Sequence, residues 1–301
     1  MIIKISYIAL KVKAIWELMR LEHGVMIAIA ILVGSLIASR NFPSFDKFLF
    51  TFFTALFLEA STFALNDYYD FDIDKKNKRD DRPLVRGDLS KNAELYLFFI
   101  LFPLGIISSY YVNLTCFMIA LITAIFAIFY DMILKKVKLL GNFFISYVMA
   151  IPFVFGAASI LTENNFSISL SPAIFIIALI AFLSGVGREI MKDVMDFEGD
   201  KEEGVKSFPK YIGIKKSNMI ASVFYIIAIV LSFLPFIFKN YGFYFNNYFY
   251  LVVVLITDFM LFWTAFKLIF DKDIDLKYYR KFTLMALFMG LIAFLIGAFT
   301  G

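Results

Sequence analysis

Asn66, Asp70 and Asp74 recur every four residues in the stretch Asn66-Asp67-Tyr68-Tyr69-Asp70-Phe71-Asp72-Ile73-Asp74. On a helix this spacing lays three oxygen side chains along one face. Carboxylates so placed repel one another, and a cation is their natural partner. An all-oxygen donor set suits a hard ion such as Mg²⁺. A second stretch repeats the pattern in Arg188-Glu189-Ile190-Met191-Lys192-Asp193-Val194-Met195-Asp196-Phe197-Glu198-Gly199-Asp200-Lys201, where Asp193, Asp196 and Asp200 stand three and seven residues apart, again on one helical face. Of 25 acidic residues, 7 lie between Asp67 and Asp88 and 7 between Glu189 and Glu203, so most of the negative charge is concentrated in two places. Lys and Arg are interleaved with the acids in both. Carboxylates beside ammonium and guanidinium groups are what a metal-bridged diphosphate needs, the metal neutralising some phosphate oxygens and the side-chain cations the rest. Asp70, Asp74, Asp196 and Asp200 are the acids on which such chemistry would turn.

The elements that must position these residues are membrane helices. The 301-residue chain is 61% hydrophobic and 18% charged, too little polar surface to cover a soluble globule of that size. About 20 apolar residues cross a hydrocarbon core, and nine segments qualify, near 23–39, 47–67, 93–112, 114–134, 141–161, 171–192, 218–238, 247–269 and 280–299. An all-α, multi-pass protein with one domain over 1–301 is expected. With the N-terminus in the cytoplasm, 26 of the 29 Lys and Arg fall inside and only Arg40, Lys47 and Lys239 outside, a strong orientation signal. It places both acidic stretches, within loops 70–92 and 193–217, at the cytoplasmic face of the cell membrane. Residues 1–22 carry Lys4, Lys11, Lys13 and Arg20 without a small-residue cleavage site, and read as a basic interfacial or frayed helix, not a signal peptide. Cys116 is the single cysteine, so no internal disulfide forms. No nucleic-acid partner is expected, since the net charge of +4 follows membrane orientation.

Asn66-x3-Asp70-x3-Asp74 followed by Arg79-x2-Arg82-Pro83 and Gly87, with Asp193-x2-Asp196-x3-Asp200 and the tail Gly204-x2-Ser207-x-Pro209, resembles the UbiA-type intramembrane prenyltransferase superfamily. The resemblance extends through Tyr130 to Lys135 and to Gly141-Asn142, and so covers nearly the whole chain. It implies nine helices around a central cavity, with Asn66, Asp70, Asp74, Asp193, Asp196 and Asp200 binding Mg²⁺ and, through it, the diphosphate of an isoprenoid donor. Arg79, Arg82, Tyr130, Lys135 and Lys201 then hold the remaining diphosphate oxygens. The lead-in Gly187-Arg188-Glu189-Ile190 to the second motif is most similar to the archaeal branch that prenylates geranylgeranylglyceryl phosphate. A phosphate-bearing lipid acceptor needs a second cationic site, for which Arg20, His23, Arg188 and Lys192 are the candidates. His23 stands where the family commonly has Asn, and is otherwise a packing histidine.

No Ser/His/Asp or Cys/His set is present to form a covalent enzyme intermediate. Two rival readings remain. One is a prenyltransferase with an aromatic acceptor, such as 4-hydroxybenzoate or a quinone precursor. The other is a cation-coupled transporter, which calls for acids with partners at membrane depth. Glu59 and Asp258 alone answer that description, and they read equally as cavity-lining or structural acids; no role is assigned to Asp131.

Overall fold

A computed structural model describes residues 2–19, 21–76, 79–80, 82–132, 137–161, 171–202 and 204–301. Helices α1 (Ile2–Met19), α2 (Leu21–Ser39), α3 (Phe45–Lys76), α4 (Pro83–Arg86), α5 (Lys91–Val112), α6 (Leu114–Met132) and α7 (Lys138–Ser159) are followed by α8 (Pro172–Met195), α9 (Phe197–Glu202), α10 (Phe208–Ile212), α11 (Ile214–Ser232), α12 (Leu234–Ile237), α13 (Tyr248–Phe270) and α14 (Leu276–Thr300). The protein is an all-α, multi-pass membrane fold. Eight helices among the described residues are long and apolar enough to cross a bilayer, and a ninth span is reached if the bent pair Leu10–Leu18 and His23–Ser39 counts as one. The turns are closed by side chains suited to them. Ser90, Ser171, Asn247 and Asp275 each accept from the backbone N–H three residues on, capping α5, α8, α13 and α14. Asn113 does the same for Cys116 at the head of α6, 2.8 Å away.

Contacts sort the chain into two compact units, Met1–Ala28 with Ser44–Ile133, and Ile29–Pro43 with Leu134–Gly301. In the first, α3 packs along α5, and both meet α6. One side of the later turns of α1 is packed: Ala14 and Leu18 are buried with Ala64, Leu65, Leu89 and Phe98, while Val12 and Trp16 are exposed. Lys11 donates to the backbone oxygen of Asp88, and Arg86 pairs with Glu17 and, at 2.7 Å, with Asp88. Those two carboxylates, Asp88 first, hold the Arg86 guanidinium above its ordinary range. The basic face that reads as membrane-directed in the sequence is thus partly spent on binding α1 to the loop after the first motif.

In the second unit, α8 is the central helix, contacting α7, α11 and α14, with α13 packed between α11 and α14. Its core combines Val33, Phe153, Ile174, Ile177, Tyr250 and Phe294. Small residues allow backbones to meet, as membrane helix pairs without a hydrophobic drive require. Any Cβ at Gly34 would strike the carbonyl of Phe153, and any at Gly156 the carbonyl of Ile31. Ser35 Oγ donates across the same contact to Gly156 O at 2.9 Å. Asp258, expected as cavity-lining or structural, is buried in α13 and accepts from Ser232 Oγ at 2.7 Å, while Tyr250 donates to Ser232 O at 2.7 Å. It belongs to a polar knot within the packing.

Candidate active site

In the first unit, α3 continues through Lys76 without a break, so Asn66, Asp70 and Asp74 lie on one helical face as their spacing requires. Asn66 Nδ2 donates to the buried carboxylate of Asp131 on α6 at 3.0 Å. Only the amide nitrogen can pair with a carboxylate, so the bond leaves Asn66 Oδ1 as the atom offered to a cation. Past α3 the chain folds back on itself. Arg79 N–H bonds to Asp74 O at 3.0 Å and Arg82 N–H to Arg79 O at 2.9 Å. This return brings the Arg82 guanidinium onto Asp67, with its Nε 3.7 Å from Asp74 Oδ2. Pro83 then starts α4, its missing N–H costing nothing at a first helical position. Gly87 ends α4 at φ 80°, in the left-handed region where a side chain is strained. Glu94, in the first turn of α5, is fully buried and interacts electrostatically with Asp67, Arg82 and Asp74. Neither of its oxygens has a hydrogen-bond partner among the described residues.

In the second unit the single helical face expected over Asp193, Asp196 and Asp200 is interrupted. Helix α8 stops at Met195, Asp196 caps it at φ −94°, ψ 3°, and Asp200 rides on the separate short helix α9. Negative charge at a helix C-terminus opposes the macrodipole, and Gly199 lowers helix propensity further. The three carboxylates nevertheless converge. Lys138 Nζ, on the first residue of α7, lies 2.6 Å from Asp200, 3.9 Å from Asp193 and 4.0 Å from Asp196. One turn along α7, Asn142 Nδ2 donates to Asp193 Oδ2 at 2.7 Å. Leu139 N–H bonds to Lys206 O at 3.2 Å, tying the same turn to the loop beyond Asp200. Burial raises the Asp200 carboxyl above its ordinary range, against the downward pull of the Lys138 hydrogen bond.

The donor chemistry fits a hard divalent ion. All ligand candidates offer oxygen, and in the second unit three of them already surround one positive centre. No three His, Cys, Asp or Glu among the described residues close tightly enough to coordinate one ion in the arrangement seen, Lys138 standing between the acids of the second set.

The other candidates are placed less uniformly. Arg79, Arg82 and Tyr130 lie in the first unit, and Lys201 is exposed on α9 in the second. Lys135 and Arg20 fall outside the described residues. Arg188 and Lys192 both pair with the buried Glu189, at 3.3 and 2.6 Å. His23 Nδ1 lies 3.8 Å from Glu59 Oε1, which gives that intramembrane acid a local partner. Sequence reasoning did not single out Lys138, Asp67 or Glu94, and left Asp131 without a role. Lys138 and Asn142 are four residues apart, a spacing that marks one helical face. Asp67 and Glu94 carry no such signal, because a lone acid on an apolar helix does not reveal its partner.

A multi-pass helical protein with two oxygen-donor motifs, each beside a basic group, has the construction of an intramembrane prenyltransferase. The chain belongs to the UbiA prenyltransferase family, whose profile matches residues 27–292. It is 40% identical over 289 residues to the digeranylgeranylglyceryl phosphate synthase of Archaeoglobus fulgidus, covering 95% of this chain and 96% of that one. It is 31% identical to the enzyme of the same name from Pyrococcus furiosus, over 97% and 99% of the two chains. A solved structure concerned with digeranylgeranylglyceryl phosphate synthase superposes with a TM-score of 0.74 at 34% identity, covering 96% of this chain and 98% of that chain. A UbiA homologue from Archaeoglobus fulgidus bound to DMAPP and Mg²⁺ shares the fold, with a TM-score of 0.60 at 17% identity over 93% and 99%. The protein is therefore a prenyltransferase.

Proposed function

We propose that the protein transfers a geranylgeranyl group from geranylgeranyl diphosphate to the free glycerol hydroxyl of geranylgeranylglyceryl phosphate, in the synthesis of archaeal ether membrane lipids. The observation that carries the reading is the pair of oxygen-donor sets, one on α3 and one around Lys138, in a chain whose curated relatives over nearly its full length are synthases of that product. In the reaction the C1–O bond of the donor breaks, diphosphate leaves with the electron pair, the glycerol oxygen bonds to C1, and the hydroxyl proton is released.

Asn66, Asp70 and Asp74, with Asp193, Asp196 and Asp200, are the residues that would hold Mg²⁺. When bound, that ion supplies charge neutralisation at the leaving diphosphate. Arg82 is held ready by Asp67 and Asp74, and can present a guanidinium fork to outer phosphate oxygens. Arg79, Tyr130, Lys135 and Lys201 are the further donors to that group. The apolar helices carrying these residues keep water from an allylic cation, which is the physical reason to run this chemistry inside a membrane protein. Arg188 and Lys192, both paired with Glu189, leave one net positive charge on one turn of α8, suited to an acceptor's phosphate. Arg20 and His23 are the further acceptor candidates that the sequence supplies. The inner ends of the helices, with both motifs, face the cytoplasm on the strength of the Lys and Arg distribution.

Detergent-solubilised protein supplied with Mg²⁺, geranylgeranyl diphosphate and geranylgeranylglyceryl phosphate is expected to yield digeranylgeranylglyceryl phosphate and diphosphate. 4-Hydroxybenzoate is not expected to serve at a comparable rate. If it proves the better acceptor by kcat/KM, with the glycerol phosphate inert, the lipid assignment fails and the aromatic one takes its place. Cation transport without diphosphate release would overturn both.

A further inference from the structure

Lys138 belongs to neither acidic motif, yet its ammonium is the group on which all three carboxylates of the second motif converge, 2.6 Å from Asp200, 3.9 Å from Asp193 and 4.0 Å from Asp196. The placement is built and not a chance surface pairing. Its backbone is the start of α7, whose next residue, Leu139, bonds to Lys206 O, and whose Asn142 bonds to Asp193. Asp193 is almost fully buried, and the Lys138 side chain is about one quarter exposed (26%). Like charges gathered in a partly desolvated place need a counter-charge. Here the chain provides one from its own sequence.

We propose that Lys138 is an internal counter-ion that competes with the divalent metal for the second acidic motif, so that the metal displaces its ammonium on binding and Lys138 sets the affinity of that half of the site. The inference rests on the metal-ligand role given above to Asp193, Asp196 and Asp200. It extends that role by assigning a positioning residue that acts through these acids. A metal carries two charges and takes several oxygens at once, whereas the ammonium makes one short contact and two long ones. The metal therefore wins when it is supplied, at a cost set by the ammonium it must move. Without that ammonium the acids would bind the metal more tightly but would repel one another in its absence.

The test is metal binding to the full chain in detergent, with no donor present, using Mn²⁺ and following free ion by electron paramagnetic resonance. Lys138→Met, which keeps length and removes the charge, is expected to bind Mn²⁺ at least about tenfold more tightly than the unmodified protein, since one competing positive charge at contact distance is lost. Lys138→Arg, which keeps the charge, is expected to stay within about threefold. A second measurement uses the unmodified protein and so does not depend on a variant folding. Acylation of Lys138 by an amine-reactive ester, quantified by peptide mass spectrometry, is expected to rise on adding Mn²⁺ as the ammonium is released. Unchanged or weaker Mn²⁺ affinity in Lys138→Met, or Lys138 labelling indifferent to Mn²⁺, overturns the competition while leaving the metal reading intact. If the unmodified protein and Lys138→Met alike bind no Mn²⁺, the metal reading falls and the competition with it.

Discussion

Asn66 and Asp131 are joined by an amide-to-carboxylate hydrogen bond of 3.0 Å that connects the first motif on α3 to the end of α6. In the other unit Asn142 and Asp193 are joined by a bond of the same kind at 2.7 Å. In the first pair the Asn belongs to the motif and the Asp supports it, and in the second the roles are reversed. Each bond fixes the orientation of a proposed metal ligand, and such supporting contacts carry a substantial part of a metal site's affinity.

Asp131→Ala is accordingly expected to raise the Mg²⁺ concentration needed for half-maximal prenyl transfer by about 10- to 100-fold. The fold should persist, since Asp131 lies near the end of α6. A Mg²⁺ titration at saturating donor gives the answer, and an unshifted midpoint would remove Asp131 from the site.

Asp70→Asn and Asp196→Asn are each expected to lower turnover by several orders of magnitude with the helical circular dichroism unchanged, because each removes a charge from a metal ligand near the leaving group. Retention of more than about a tenth of activity, a barrier change under ~1.4 kcal/mol, counts against the ligand assignment. Asp72 and Asp80 are the controls. Asp72 is exposed on α3 with Lys91 3.9 Å away, and Asp80 is exposed beyond α3, so Asn at either position should matter little.

Arg82→Ala is expected to raise the donor KM more than Lys91→Ala, because Arg82 holds a fixed fork beside the motif while Lys91 sits over Tyr68 and Phe71, 4.9 and 5.4 Å from their ring centres. It is also expected to lower Tm, because it removes the guanidinium that pairs with the buried Asp67. Adding Asp67→Asn to Arg82→Ala should recover part of the lost Tm without recovering the KM. Equal KM effects of the two single variants would argue against the phosphate role of Arg82.

Gly156→Ala is expected to lower Tm sharply, since its Cβ would strike the backbone carbonyl of Ile31, which cannot move without shifting a helix. Gly199→Ala, where a Cβ meets nothing within 4 Å, is expected to leave Tm within a degree or two. A scan of the two variants in one detergent distinguishes packing from propensity, and equal shifts would mean that α2 and α7 do not need a bare backbone at Gly156.

Much of this protein is legible from the sequence, and the reason is the membrane. Backbone groups in hydrocarbon must be satisfied within their own helix, so runs of about 20 apolar residues translate directly into spans, and turn residues such as Asn113 and Ser171 mark their ends. The period of four in Asn66, Asp70 and Asp74 likewise specifies a face, because α3 runs on through Lys76. Period alone failed at Asp196, where α8 ends and the acids meet by a turn in the chain instead of by helical repetition. Partner choice was beyond the sequence altogether. That Arg82 returns to Asp67, that Lys138 rather than Lys201 stands among Asp193, Asp196 and Asp200, and that Arg188 and Lys192 share Glu189 depend on distances across helices and loops. A charge can be counted in one dimension, but the group that neutralises it is chosen by proximity in three, where a few ångströms decide whether an ion pair forms.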